Sequence, residues 1–241
     1  MRSSTVEAVL ETIQKQKPFS PACEITLEAN PSSITREQMQ DFQAAGVNRL
    51  SIGVQAFDDK LLKALGRDHT ASVAIKCLTD AAVIFPDRFS VDLMFGLPNT
   101  TMPIWLEQLQ SAIQHRPRHM SIYELTYKRG TMLFNDVAAK RLKPLDPDLL
   151  ADMFSVTDST LSAAGLTKYE TSSYAVAGHE GRHNILGNIP SHPLSFWRQA
   201  YSAAECADIL SQVGWVAISL VAARAHMAVI MKRMEGVRVL S

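Results

Sequence analysis

The chain has 241 residues, 46% of them hydrophobic and 20% charged, a composition that excludes a disordered polymer and suits an ordinary soluble globular protein. Its 24 lysines and arginines balance 24 aspartates and glutamates, so no strongly basic face is implied and nucleic acid is not expected as a partner. Cys23, Cys77 and Cys206 lie far apart in sequence, which excludes a zinc knuckle, a CxxC redox pair and a secreted disulfide scaffold and points to a reducing compartment.

The residues from Met1 to Gln16 lack the apolar core and small-residue cleavage site of a secretory signal, and only Arg2 suits a mitochondrial presequence. Val6, Val9, Leu10 and Ile13 share one face of an amphipathic helix instead, so the chain is expected to begin inside a domain. Glu24–Glu28 reads as a strand closed by the turn Asn30-Pro31-Ser32. The next helix is capped by Thr35, with Gln38 completing a capping box and Gly46 just past its end.

Arg49–Val54 alternates as a second strand, followed by a short helix at Asp58–Ala64, the loop Gly66-Arg67-Asp68-His69 and a helix over Ala71–Val83. Ser90–Phe95 is a third strand, and Pro103 marks the first turn of the helix after it. Met120–Leu125 is a fourth strand, Asp146–Ala164 a helix ended by Gly165, and Thr167–Thr171 a further strand. This alternation fits either a (βα) barrel or an open doubly wound sheet.

After Asn184 the pattern changes, so residues 1–184 are expected to form the core and 185–241 a divergent, mostly helical tail. The apolar run Ile209–Ala223 is shorter than the roughly 20 residues of a membrane span, and a buried or associating helix is expected there rather than a membrane segment.

In such folds ligands bind where parallel strands end. Glu28 closes the first strand, Gln55 ends the second, Arg67 lies in the following loop, and Asp92 interrupts the third strand. Carboxylates suit ribose hydroxyls or an amino group, an amide both donates and accepts, and a guanidinium grips a carboxylate. Each also has a plain structural role: Glu28 with Arg67 as an ion pair, Gln55 as a helix cap. Asp92 is the hardest to dismiss, because an acid inside Val91–Phe95 needs a partner. His115 and His119 are separated by Pro117 and do not share a helix face, so no zinc site is expected. No GxGxxG, GxxxxGK[ST] or nucleophile motif is present.

Glu28-Ala29-Asn30-Pro31, the run Gly46 to Gln55 (GVNRLSIGVQ), Leu65-Gly66-Arg67, the run Val91 to Pro98 (VDLMFGLP) and Gly130-Thr131 occur together in order. This set resembles the radical S-adenosylmethionine (SAM) proteins related to oxygen-independent coproporphyrinogen III oxidase. Tyr169-Glu170, Tyr174-Ala175 and His183-Asn184 are most similar to that group's heme chaperone branch, whose eukaryotic member is mitochondrial. The resemblance covers about Glu24 to Asn184.

It implies a partial (βα) barrel, a SAM site to which Glu28, Gln55, Arg67 and Asp92 correspond by position, and a [4Fe–4S] cluster held by a CxxxCxxC loop. That loop and a GGGTP motif are absent from this sequence. No catalytic residue and no metal ligand is therefore assigned, and catalysis by this chain is not expected. The implied role is binding of heme as cargo and its transfer to recipient hemoproteins in mitochondria, with the cytoplasm as the alternative. A porphyrinogen oxidase-type enzyme, or an inactive fragment acting through its tail, are the other readings. The expectation is of a truncated form, whose first strand Glu24–Glu28 would present an uncovered edge.

Overall fold

In the computed structural model, residues 2–16, 18–21 and 23–180 are described with their side chains, and 215–219 as backbone. The chain runs α1 (Ser3–Gln16), β1 (Glu24–Ala29), α2 (Arg36–Ala44), β2 (Arg49–Gln55), α3 (Asp59–Ala64), α4 (Ala71–Ile84), β3 (Phe89–Phe95), α5 (Met102–Ile113) and β4 (His119–Glu124). It continues through α6 (Met132–Ala138), α7 (Pro147–Ala163), β5 (Thr167–Glu170), β6 (Ser173–Ala175) and β7 (Trp215–Ser219).

Local signals account for the helix boundaries. Thr35 and Gln38 form the reciprocal capping box of α2. Asp58, Thr70, Thr131 and Asp146 accept backbone N–H groups at the starts of α3, α4, α6 and α7. Past α3, Gly66 takes a positive φ of 67°, and the N–H of Arg67 reaches back to the Leu62 carbonyl at 2.9 Å. That Schellman-type closure fixes where the Arg67 loop leaves the helix.

The strands form one sheet in the order β5-β6-β4-β3-β2-β1-β7. Strands β1 to β4 are parallel, each joined to the next through helix. The β5–β6 hairpin runs antiparallel along β4.

Period-two alternation gives the sheet two unlike faces. Leu27, Leu50, Ile52, Val91, Leu93 and Met120 are fully buried on one of them, in a single core with Val6, Met39, Phe42, Leu78, Leu109 and Leu161 from α1, α2, α4, α5 and α7. Burial of each such side chain contributes on the order of 1.5–3 kcal/mol. A doubly wound sheet carries helices on both faces; here these five helices share one core, which selects the barrel-type alternative. The opposite face carries Glu24, Thr26 and Glu28, then Arg49, Ser51 and Gly53, then Ser90 and Asp92, then His119, Ser121 and Tyr123.

The tail departs from expectation in one place. Within Ile209–Ala223, expected as a helix, Trp215–Ser219 is a strand parallel to β1, with Trp215 opposite Glu24 and Ser219 opposite Glu28. The unpaired backbone of a β1 edge favours a strand partner, and Trp215, Val216 and Ile218 are strand-forming residues. The remainder of the tail, with His183 and Asn184, lies outside the described residues. Sequence periodicity also missed α6 and β6, both too short to show a period.

Candidate functional site

The polar face is a hydrogen-bonded ladder across β1–β4. Ser51 sits between Glu28 and Ser90 in register, and Asp92 between Gly53 and Ser121. The Ser51 and Ser90 hydroxyls are 2.8 Å apart, and Ser51 Oγ lies 3.3 Å from each carboxylate oxygen of Asp92. Burial nevertheless pushes the Asp92 carboxyl up to about 6, helped by the negative charge of Glu28 and opposed by hydrogen bonds from Ser121 and Ser51 and by the charge of Arg49. The partner that an acid in this strand requires is thus a pair of serines on its two neighbours.

Toward the start of the strands, Arg49 pairs with Glu24 at 3.5 Å and approaches Thr26 Oγ1 at the same distance. His119 is buried, and its Nε2 lies 2.7 Å from the Tyr169 hydroxyl. Burial, then the charges of Arg49 and His179, drive its pKa down to about 3, so the ring is neutral.

At the other end of the strands stand Glu28, Gln55 and the loop of Arg67. Ser32 Oγ donates to Asp68 Oδ1 at 2.7 Å, which ties the Arg67 loop to the turn after β1. The Arg67 guanidinium is half-buried, its pKa is lowered by burial, and it makes no salt bridge among the described residues. The ion pair with Glu28 is therefore absent there, and Gln55 does not cap α3, whose cap is Asp58.

Gln55 has a φ of 68°, and the Ala56 N–H donates to the Val54 carbonyl at 2.9 Å, which makes Gln55 the centre of a tight γ-turn. A non-glycine residue in that region stores on the order of 1–3 kcal/mol and persists where surrounding structure holds it.

Four buried polar atoms near these ends have no hydrogen-bond partner among the described residues: Asn30 Oδ1, His69 Nδ1, Thr100 Oγ1 and Tyr127 Oη. Asn30, Thr100 and Tyr127 follow β1, β3 and β4, and His69 is bonded to the last turn of β2. Such orphaned groups are uncommon in folded proteins, and each calls for a partner such as a water, ion or ligand. A fifth, His119 Nδ1, lies at the opposite end of the strands.

Of the four residues singled out from sequence, Glu28 and Gln55 stand at the ends of β1 and β2, Asp92 lies in the middle of β3, and Arg67 is in a loop tied to the turn after β1. Sequence reasoning missed Ser51, Ser121, His69 and the His119–Tyr169 pair, because only sheet register joins the serines to Asp92 and only tertiary hydrogen bonds join the others.

The cysteines among the described residues do not contribute. Cys23 and Cys77 are buried and unbridged, and burial raises the Cys77 thiol to about 12, far from a thiolate ligand. Among the described residues no three His, Cys, Asp or Glu side chains gather as a metal site.

Residues 1–107 match the model of the Radical SAM superfamily. The chain is 46% identical over 180 residues to mouse radical S-adenosyl methionine domain-containing protein 1, mitochondrial, covering 75% of this chain and 41% of that protein. It is 37% identical over 194 residues to the heme chaperone HemW of Escherichia coli, covering 80% of this chain and 48% of that one. The chain thus spans less than half the length of these relatives. Among solved structures, coproporphyrinogen III oxidase (HemN) from Escherichia coli superposes with a TM-score of 0.64 at 22% identity, over 75% of this chain and 41% of that one, a likeness of fold. With its parallel sheet and one-sided helical core, the chain belongs to the radical SAM superfamily, in the group that includes HemW and radical S-adenosyl methionine domain-containing protein 1.

Proposed function

We propose that this chain is the nucleoside-binding part of a heme chaperone-like radical SAM protein, one that carries heme to hemoproteins in mitochondria. The heme role follows the names of the relatives, since heme ligands are not identifiable among the described residues. The observation that carries the nucleoside reading is the half-buried Arg67 guanidinium without a salt bridge among the described residues, in a loop tied to the turn after β1, on a sheet whose polar face bears Glu28 and Asp92 and whose β2 ends at Gln55. S-adenosylmethionine has a carboxylate for Arg67, and an amino group and ribose hydroxyls for the two acids and the amide. When bound it would supply a sulfonium. The residues fit that nucleoside; the cysteines described do not fit an iron–sulfur cluster, and no step through a cluster is assigned.

Calorimetric titration of the full chain with S-adenosylmethionine tests the first half, and absence of binding by folded protein defeats it. Titration with heme, followed by its Soret band, tests the second half. An unshifted band in a sample shown to be folded removes heme binding by this chain.

A further inference from the structure

Two residues with no assigned role converge on Gln55. Gly53 lies one turn of the pleat earlier on the polar face, where a Cβ would come within 3.0 Å of Gln55 Nε2. The Gln55 amide therefore lies folded back over the Gly53 α-carbon, in the space a side chain would fill. Gly53 has no positive φ, so its missing side chain, rather than its backbone freedom, is what this position uses.

The second residue is His69. It is 4% exposed, and its Nε2 donates to the Val54 carbonyl at 3.1 Å. That carbonyl is the one closing the γ-turn at Gln55 through the Ala56 N–H. The imidazole thus grips the oxygen on which the strained turn is built, where β2 loses register with β3 between Gly53 and Gln55. His69 also follows Arg67 by two residues, so the same ring joins the loop bearing Arg67 to the strand end bearing Gln55.

We infer that Gly53 and His69 are positioning residues for Gln55, Gly53 clearing the place for its amide on the polar face and His69 clamping the γ-turn that aims it, together setting affinity for the adenosyl ligand. This rests on the reading of the strand ends as the nucleoside site. Any ligand that Gln55 hydrogen-bonds then depends on two groups that never touch it. A 3.0 Å approach is tight enough that a methyl at position 53 must displace the amide by a few tenths of an ångström. Loss of the His69 donor releases the turn toward ordinary strand geometry.

The test is a double-mutant cycle on the full 241-residue chain. Affinity for S-adenosylmethionine is measured by calorimetry in Gly53→Ala, His69→Phe and His69→Gln, each alone and with Gln55→Ala. Gly53→Ala and His69→Phe are expected to weaken binding about fivefold or more alone, and by less than about twofold once Gln55 is alanine. His69→Gln, which keeps a donor, is expected to recover most of the loss. Equal effects with and without Gln55 would overturn the inference, because they would show action on the fold at large.

A second readout needs no ligand. The side-chain amide resonances of Gln55, identified by their loss in Gln55→Ala, should move in both Gly53→Ala and His69→Phe. If they stay in place the positioning roles fall. If wild-type chain takes up no S-adenosylmethionine, the nucleoside reading fails, while these spectra still decide whether Gly53 and His69 hold Gln55.

Discussion

Ser51 Oγ stands 3.3 Å from both carboxylate oxygens of Asp92, yet the acid's pKa is raised to about 6. Burial and the nearby Glu28 carboxylate outweigh the serine contacts. A raised folded-state pKa means the native protein holds this proton more tightly than the unfolded chain does. The associated stability is fully present below the unfolded value of 3.8 and falls as pH rises toward about 6. The loss is at most about 3 kcal/mol, and less for the solvent that reaches this half-buried group.

Asp92→Asn has the same shape and no titration. Its stability relative to wild type is expected to rise between pH about 4 and about 6 and then level off. Urea unfolding across that range measures it. A pH-independent difference between the two proteins would mean that Asp92 does not titrate in this window.

His119 behaves in the opposite sense. Its pKa falls from 6.5 to about 3 through burial and the charges of Arg49 and His179. The stability tied to its neutral form is present above 6.5 and drains away as pH drops toward 3. His119→Gln should therefore flatten the acid limb of the melting-temperature profile. At neutral pH the same variant should lose about 1 kcal/mol with the Tyr169 hydrogen bond. Tyr169→Phe should reproduce the neutral-pH loss and leave the acid limb steep, which separates the two effects.

The packing of α5 on α7 offers a sharper stability test. The buried Trp105 indole N–H donates to Thr157 Oγ1 at 2.9 Å, and that hydroxyl donates onward to the Met153 carbonyl at 2.7 Å. Thr157→Val keeps the volume and strands the indole N–H, at a cost of about 1–3 kcal/mol. Thr157→Ser keeps both hydrogen bonds and should cost less than the valine variant in chemical denaturation. The reverse order would show that the methyl group matters more than the hydroxyl.

How much of this was legible follows from the range of each signal. Short-range signals were readable: Thr35 with Gln38, Gly66 past α3, and the alternation of Arg49–Val54 concern residues a few positions apart. The positions of Glu28, Gln55 and Asp92 on their strands, and of Arg67 in the loop after α3, were legible too, because strands can be found from periodicity. Ser51 and Ser121 were not, since a serine in a strand carries no mark until register sets it beside Asp92. His69 looked like one scattered histidine, and its meaning depends on a carbonyl fifteen residues earlier. The strand Trp215–Ser219 was read as helix because an apolar run alone cannot tell the two apart, and what decides it is a pairing with β1, nearly two hundred residues away.

Arg67 ties function to stability. Its guanidinium is partly drawn from water without a salt bridge among the described residues; the charge of Asp68 offsets part of that desolvation, and a bound anion would offset more of it. Arg67→Met keeps the aliphatic stem and removes the charge. Its melting temperature is expected to be equal to or above that of wild type, while affinity for S-adenosylmethionine drops at least about tenfold. Arg67→Lys should keep the charge and recover little affinity, because an ammonium cannot make the paired contacts of a guanidinium fork. The ligand should accordingly raise the melting temperature of wild type more than that of either variant. A variant that melts lower without ligand and binds as well as wild type would assign Arg67 to the fold and remove it from the site.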